Sequence, residues 1–149
     1  MPTDPAARAL DPFCATVRTW FAERLGTPTR PQVEGWQHIR SGAHTLIAAP
    51  TGSGKTLAAF LHALDTLLRG GAADDRTSVL YVSPLKALGN DVRKNLEGPL
   101  QELRERDSSL PEVRVVVRSG DTTAQQRSTM SRRVPHILVT TPESLYILL

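Results

Sequence analysis

Residues Thr45 to Leu57 read TLIAAPTGSGKTL, and this stretch decides the fold. TLIAA, Thr45 to Ala49, is a short apolar run of the kind that forms a buried strand. The loop Pro50 to Gly54 follows. From Lys55 to Arg69 the apolar residues Leu57, Phe60, Leu61, Leu64 and Leu68 recur on one helical face. A strand, a glycine-rich loop and a helix in that order make a phosphate-binding P-loop. The N–H groups of Gly52, Ser53, Gly54 and Lys55 can converge on phosphate oxygens. The glycines let the backbone turn sharply and come close. Lys55 brings a point charge to the outer phosphates. Thr56 offers a hydroxyl to Mg²⁺. Thr51 through Thr56 are therefore the candidate site for a nucleoside triphosphate, with Lys55 and Thr56 nearest the chemistry. Ala49 stands where the general pattern has a glycine. A glycine-rich turn that merely precedes a lysine is the bland alternative; the strand before it and the helix after it disfavour that reading.

Outward from this stretch the same alternation repeats three times. SVLYVS, Ser78 to Ser83, reads as a strand. Leu85 to about Arg106 is helical, with Leu85, Leu88, Val92, Leu96, Leu100 and Leu103 on one side. Gly98-Pro99 should break or kink that helix, because proline cannot donate a backbone hydrogen bond. VRVVVRS, Val113 to Ser119, is a strand and Ala124 to Arg132 a short helix. HILVTT, His136 to Thr141, is a strand, and a helix opens at Pro142, a residue suited to a first turn. Upstream, Phe13 to Leu25 has helical spacing and ends at Gly26, and Gln32 to Ile39 is a second short helix. Residues 1–12, with their prolines, are expected to be loose. Strands alternating with helices predict an α/β fold, a parallel sheet flanked by helices on both faces. The apolar run Leu145 to Leu149, and Met130, are expected in the core.

Composition agrees with one ordinary domain. The chain has 149 residues, 40% hydrophobic and 22% charged, as in a soluble globular protein. A net charge of +3 permits a nucleic-acid partner without demanding one. Cys14 is the only cysteine. It excludes an internal disulfide and a multi-cysteine metal site, and fits a reducing compartment. The four histidines are scattered, with no ligand spacing among them, and read as structural or surface residues. No run approaches the roughly 20 apolar residues of a membrane helix, and the N-terminus does not read as a signal peptide. A cytoplasmic location is expected.

In an open α/β sheet, ligands gather beyond the carboxyl ends of the strands. VSPLKALGNDV, RSGDTTAQQR and VTTPESLYILL all follow strands. Their small residues, hydroxyls and basic groups suit a phosphodiester backbone. PTRPQ, Pro28 to Gln32, precedes the P-loop, and a glutamine amide there can both donate to and accept from an adenine edge. Taken in order, these segments resemble the first RecA-like domain of superfamily 2 helicases, most closely the large helicase-related family of DEAD/DEAH-type ATP-dependent DNA helicases. The likeness spans about Phe13 to Leu149, covering the Q-motif region and motifs I, Ia, Ib and Ic. The resemblance implies that Gln32 recognises adenine, with an upstream aromatic such as Phe13 stacked on the base. It implies that Gly52, Gly54, Lys55 and Thr56 hold the phosphates and Mg²⁺. It sets Pro84, Leu85, Lys86, Asn90 and Arg93 along a nucleic-acid strand, DNA rather than RNA, with Gly120 and Asp121 at the next contact. Thr141, Pro142 and Glu143 would form a further phosphate-binding turn. For Arg93 a solvated helix face weighs about equally, and for Arg104 it is preferred.

The resemblance also marks what these 149 residues do not hold. The family's motif II, Asp-Glu-x-His after a strand, is absent; Asp74-Asp75 lies in a polar loop. Motif II supplies a carboxylate for Mg²⁺ and the glutamate that positions water. The second RecA-like domain is absent as well. The expectation is an incomplete P-loop NTPase domain over residues 13–149, part of an ATP-dependent helicase, inactive in hydrolysis alone. Its P-loop strand would lack its usual neighbours, leaving the chain marginally stable or aggregation-prone. A nucleotide- or nucleic-acid-binding module without turnover is the alternative. A restriction-system translocase is disfavoured by the SGDT and TPESLY segments.

Overall fold

The computed structural model describes the backbone of residues 5–71, 75–84 and 86–149, and their side chains except at 5, 7, 71 and 86–90. The chain divides into two compact units, Met1–Arg69 and Gly70–Leu149.

The first unit is helical: α1 (Pro5–Arg8), α2 (Ala15–Leu25), α3 (Arg30–Arg40) and α4 (Lys55–Thr66), which runs into a wide turn at Leu67–Gly71. The expected loose N-terminus is thus partly ordered, and Leu10 is buried behind α1. Val17, Trp20 and Phe21 of α2 fall at helical spacing and are buried. Their partners are Phe13 and Trp36, whose rings meet edge to face with centroids 5.0 Å apart, while Phe21 lies 5.6 Å from Trp36. Such edge contacts suit the ring quadrupole. Among the described residues no side chain caps α2; instead the N–H of Cys14 donates to Asp65 Oδ1 at 2.7 Å. Arg69 pairs with the second oxygen of Asp65 at 2.9 Å and donates to the Pro12 carbonyl at 2.7 Å. This buried carboxylate pins the start of α2 to α4. α3 packs on α4, with Trp36 Nε1 donating to the Ala58 carbonyl at 2.9 Å. Gly35 permits the approach of Ile47, whose Cδ1 would lie 2.9 Å from a Cβ there.

The run Thr45 to Ala49 is a correction. It forms no strand, and Leu46 is 94% exposed. Its composition suits a buried strand, but a strand exists through ladder hydrogen bonds to neighbours. Among the described residues none pairs with it.

The second unit holds β1 (Val79–Val82), α5 (Lys86–Arg106), β2 (Val115–Arg118), α6 (Ala124–Arg132), β3 (Ile137–Thr140) and α7 (Pro142–Leu148). The three strands form one sheet in the order β1-β3-β2, with both pairings parallel. Val79, Ile137 and Val115 are in register, as are Val82, Thr140 and Arg118. Central β3 is the most buried strand, and α5 packs against β2 and β3. α5 runs through Gly98-Pro99 without a break. A proline removes one hydrogen bond of the ladder, while Val92, Leu96, Leu100 and Leu103 are buried on both sides of it and hold the two halves in line. His136, fully buried before β3, accepts the N–H of Arg114 at Nδ1 at 3.0 Å. Arg114 in turn donates to the Val134 carbonyl and pairs with Asp75. The apolar end of the chain is a second correction: Tyr146, Ile147, Leu148 and Leu149 are exposed rather than core.

Candidate nucleotide-binding site

The P-loop folds as its residue types require. Gly52 and Gly54 have φ values of 82° and 80°, in the left-handed region that glycine enters without steric penalty. The Ser53 N–H donates to the Pro50 carbonyl at 3.2 Å, closing the turn, and the Ala58 N–H donates to Gly54 at 2.9 Å, starting α4. The first N–H groups of a helix have no partner within it, so α4 presents donors and the positive end of its dipole at this loop. Ser53 Oγ is buried and has no hydrogen-bond partner among the described residues. A phosphate oxygen is the kind of group that would satisfy it. Thr51 and Thr56 are exposed. Lys55 turns its ammonium back on the loop, donating to the carbonyls of Ala49 and, at 2.9 Å, of Pro50.

Gln32 is brought to the loop, but not as a free edge. Its Oε1 accepts the Thr29 N–H at 2.9 Å, and its Nε2 lies 3.4 Å from the Gly54 carbonyl. Thr29 Oγ1 donates to the Ser53 carbonyl at 2.8 Å. Thr29 was not among the expected site residues. The signal for it was present as T-x-x-Q, a capping-box spacing at the start of α3. Phe13, set by the resemblance against a base, is 3% exposed and packs in the aromatic core. Its ring is not free to stack.

The strands β1, β3 and β2 are parallel and in register, so their carboxyl ends share one edge. Pro84 follows β1 and is exposed. Leu85 lies outside the described residues, as do the side chains of Lys86 and Asn90, whose backbone begins α5. Arg93 faces Glu97 on the same helix, its Nε 3.6 Å from the carboxylate. Gly120 and Asp121 are exposed after β2. There the Ser119 N–H donates to Thr122 Oγ1 at 2.9 Å, and Arg127 Nε donates to the Thr122 carbonyl at 3.0 Å. These bonds fix the turn. Thr141 is buried, and its Oγ1 accepts the Ser144 N–H at 3.4 Å as the cap of α7, while Pro142 and Glu143 are exposed. The threonine hydroxyl assigned to a phosphate is thus engaged within the turn.

The DEAD/DEAH box helicase family matches residues 29–149. The chain belongs to that family. It is 46% identical to the Lhr helicase/uracil glycosylase of Escherichia coli, over 98% of this chain and 10% of that protein. It is 50% identical to the ATP-dependent helicase Lhr-Core protein 2 of Thermococcus barophilus, over 89% of this chain and 16% of that one. The solved structure of Mycobacterium smegmatis helicase Lhr bound to ssDNA and AMP-PNP superposes with a TM-score of 0.86 at 47% identity, covering 98% of this chain and 18% of that one. The fold is therefore that of the RecA-like helicase domain, and this chain spans a small share of these helicases. Among the described residues no helix is long and apolar enough to cross a membrane.

Proposed function

We propose that this chain is the ATP-binding and DNA-contacting part of an ATP-dependent helicase that works in the cytoplasm. The observation that carries the reading is the loop Pro50–Gly54. It has two left-handed glycines, an orphaned buried hydroxyl at Ser53 and the start of α4 in one short segment. Thr51 to Thr56 would hold the triphosphate by backbone N–H groups. Lys55 would leave the carbonyls of Ala49 and Pro50 for the outer phosphates. Mg²⁺, with the Thr56 hydroxyl among its ligands, would neutralise phosphate charge. Gln32, whose Nε2 lies 3.4 Å from the Gly54 carbonyl, would recognise the adenine beside the loop.

Along the shared edge of the sheet, Pro84, Leu85, Lys86, Asn90 and Arg93, then Gly120 and Asp121, then Thr141, Pro142 and Glu143 would follow a DNA strand. The in-register carboxyl ends support this grouping, as does the ssDNA bound by the mycobacterial relative. These 149 residues contain no Asp-Glu-x-His, so binding without hydrolysis is the expected behaviour of the chain alone. In a longer helicase chain, a second RecA-like domain would complete the catalytic set.

The test is titration of a fluorescent ATP analogue with Mg²⁺ against this chain and Lys55→Ala, with phosphate release followed in the same samples. Binding that disappears in the variant, without release, is expected. Equal binding by both proteins would refute a P-loop site.

A further inference from the structure

β2 is an end strand of the sheet, whose order is β1-β3-β2, and among the described residues no strand pairs with its outer side. Which of its groups face outward follows from the ladder. The Arg114 carbonyl accepts the N–H groups of His136 and Ile137, and the Arg114 N–H donates to His136 Nδ1, so the Arg114 backbone faces β3. Backbone direction alternates along a strand. Val116 and Arg118 therefore face β3 as well, and the N–H and C=O groups of Val115 and Val117 face outward. Both residues are half-buried, and their main-chain groups form a template for a further strand.

This edge is the floor of a groove of about 580 Å³. Val115, Val116 and Val117 line it in succession. Glu97 of α5 stands on one side, and Gln125, Thr129 and Met130 of α6 on the other. The crossover from β1 to β2 and the return from β2 to β3 run in opposite directions across the sheet. With the usual right hand they set α5 and α6 on opposite faces, so the edge lies recessed between two helices. A second copy of the chain would bring its own α5 and α6 to the same place. The two pairs of helices would collide before two β2 strands came within the ~4.8 Å spacing of a sheet. A single extended segment without flanking helices fits.

Charge gives that segment a pattern. The groove continues past Glu97, Glu112 and Val113 into a second cavity along α5. Around the start of β2, Glu97, Glu105 and Glu112 outnumber Arg104 and Arg133. Toward its end the lining charge is Arg93, one turn before Glu97 on α5, and Arg118 ends the strand.

We propose that this groove takes one extended segment of a partner protein as an added strand on β2. Main-chain bonds to Val115 and Val117 supply the recognition common to such additions. The valines and Met130 suit apolar residues in the middle of the segment. A basic residue belongs over the start of β2 and an acidic one at its end.

The probe is the capped peptide Glu-Val-Thr-Val-Thr-Val-Lys, titrated into this chain. Saturable binding with a Kd of about 1 mM or tighter is expected. Peptides with Glu at both ends or Lys at both ends should bind about two- to fivefold more weakly. On binding, amide exchange should slow at Val115 and Val117 and not at Val116 or Arg118. Val117→Pro removes one outward N–H and leaves the ladder to β3 intact, so it should weaken the peptide by about three- to tenfold. Thr129→Trp fills the groove from an exposed position on α6 and should weaken the peptide at least as much, which keeps the test valid if the proline unfolds the strand. Absence of saturation, or an affinity indifferent to Thr129→Trp, overturns the proposal. So does protection of Val115 and Val117 that rises with protein concentration before any peptide is added, since a second copy would then fill the groove.

Discussion

Gly54→Ala is the substitution whose effect the structure fixes most tightly. At φ 80° an alanine pays the left-handed penalty, about 1–2 kcal/mol. Its Cβ would also stand 2.3 Å from Gln32 Nε2. The end of a glutamine usually yields easily, but this one is buried and makes two hydrogen bonds. Moving it loses them, at about 0.5–1.5 kcal/mol each. The sum is about 2–5 kcal/mol; where the unliganded variant loop relaxes and the triphosphate must restore this geometry, that becomes a loss of roughly 30-fold or more in nucleotide affinity. Gly52→Ala is the matched control: its φ is 82°, and nothing among the described residues lies within 4 Å of the added Cβ. Strain alone predicts a loss of about 5- to 30-fold there. The assay is equilibrium titration of the fluorescent ATP analogue with Mg²⁺ against both variants and against Gln32→Ala/Gly54→Ala. With the amide gone, the alanine should add only strain, so the double variant should bind better than additivity allows. Equal losses in Gly54→Ala and Gly52→Ala, with additive behaviour in the double variant, would refute the reasoning.

Lys55→Ala should abolish triphosphate binding and also loosen the segment before the loop. Its ammonium holds the Ala49 and Pro50 carbonyls, so limited proteolysis within residues 46–50 should be faster in the variant. Trp36→Phe removes the indole bond to the Ala58 carbonyl and should lower stability by about 1–2 kcal/mol, read from the urea midpoint. Burial, with the Arg40 charge adding to it and Asp65 opposing, holds the His62 pKa below its ordinary value. Between the two values the unfolded chain binds more protons than the folded one. Stability is therefore full above the ordinary histidine value, near ~6.5, and is lost as pH falls through the folded value. Urea midpoints between roughly pH 5 and 7.5 should show this slope, flattened in His62→Gln. Leu80 and Val82 of β1 are 48% and 40% exposed, and a sheet edge with apolar side chains invites pairing with another chain. Concentration-dependent self-association is expected by light scattering. Leu80→Lys/Val82→Lys should reduce it, and unchanged association would place the contact elsewhere.

The parallel sheet was legible because each of its strands is a compact apolar run bounded by polar residues. VLYV, VVVR and ILVT all lie inside the expected segments. α6 was legible at its ends because Ser, Thr and Gln dominate it and Thr123 caps it. α5 shows where a local rule loses to packing. Proline at 99 argues for a break, yet four buried apolar residues astride it make a continuous stripe, and that contact outweighs one missing hydrogen bond. The exposed residues Tyr146 to Leu149 mark the converse limit, since apolar character does not supply the surface that would bury it.

At the candidate site, the residue types were legible and their engagements were not. Glycines at 52 and 54 announce left-handed turns because few other residues tolerate them, and both turns are there. A glutamine announces nothing comparable, because the same amide can face a base or cap a helix. Its role is set by which donors and acceptors stand within about 3 Å of it, a property of the folded chain. The spacing T-x-x-Q does carry part of the answer, for it predicts that Gln32 closes on the Thr29 N–H before any ligand arrives. Lys55 obeys the same logic. A buried or half-buried ammonium seeks acceptors, and the carbonyls of Ala49 and Pro50 are in reach. Nucleotide binding at this loop is then an exchange of partners rather than the filling of a finished socket. A triphosphate must draw Lys55 from two carbonyls. Phosphate affinity should therefore reflect the two carbonyl bonds that Lys55 gives up as well as the phosphate contacts it gains.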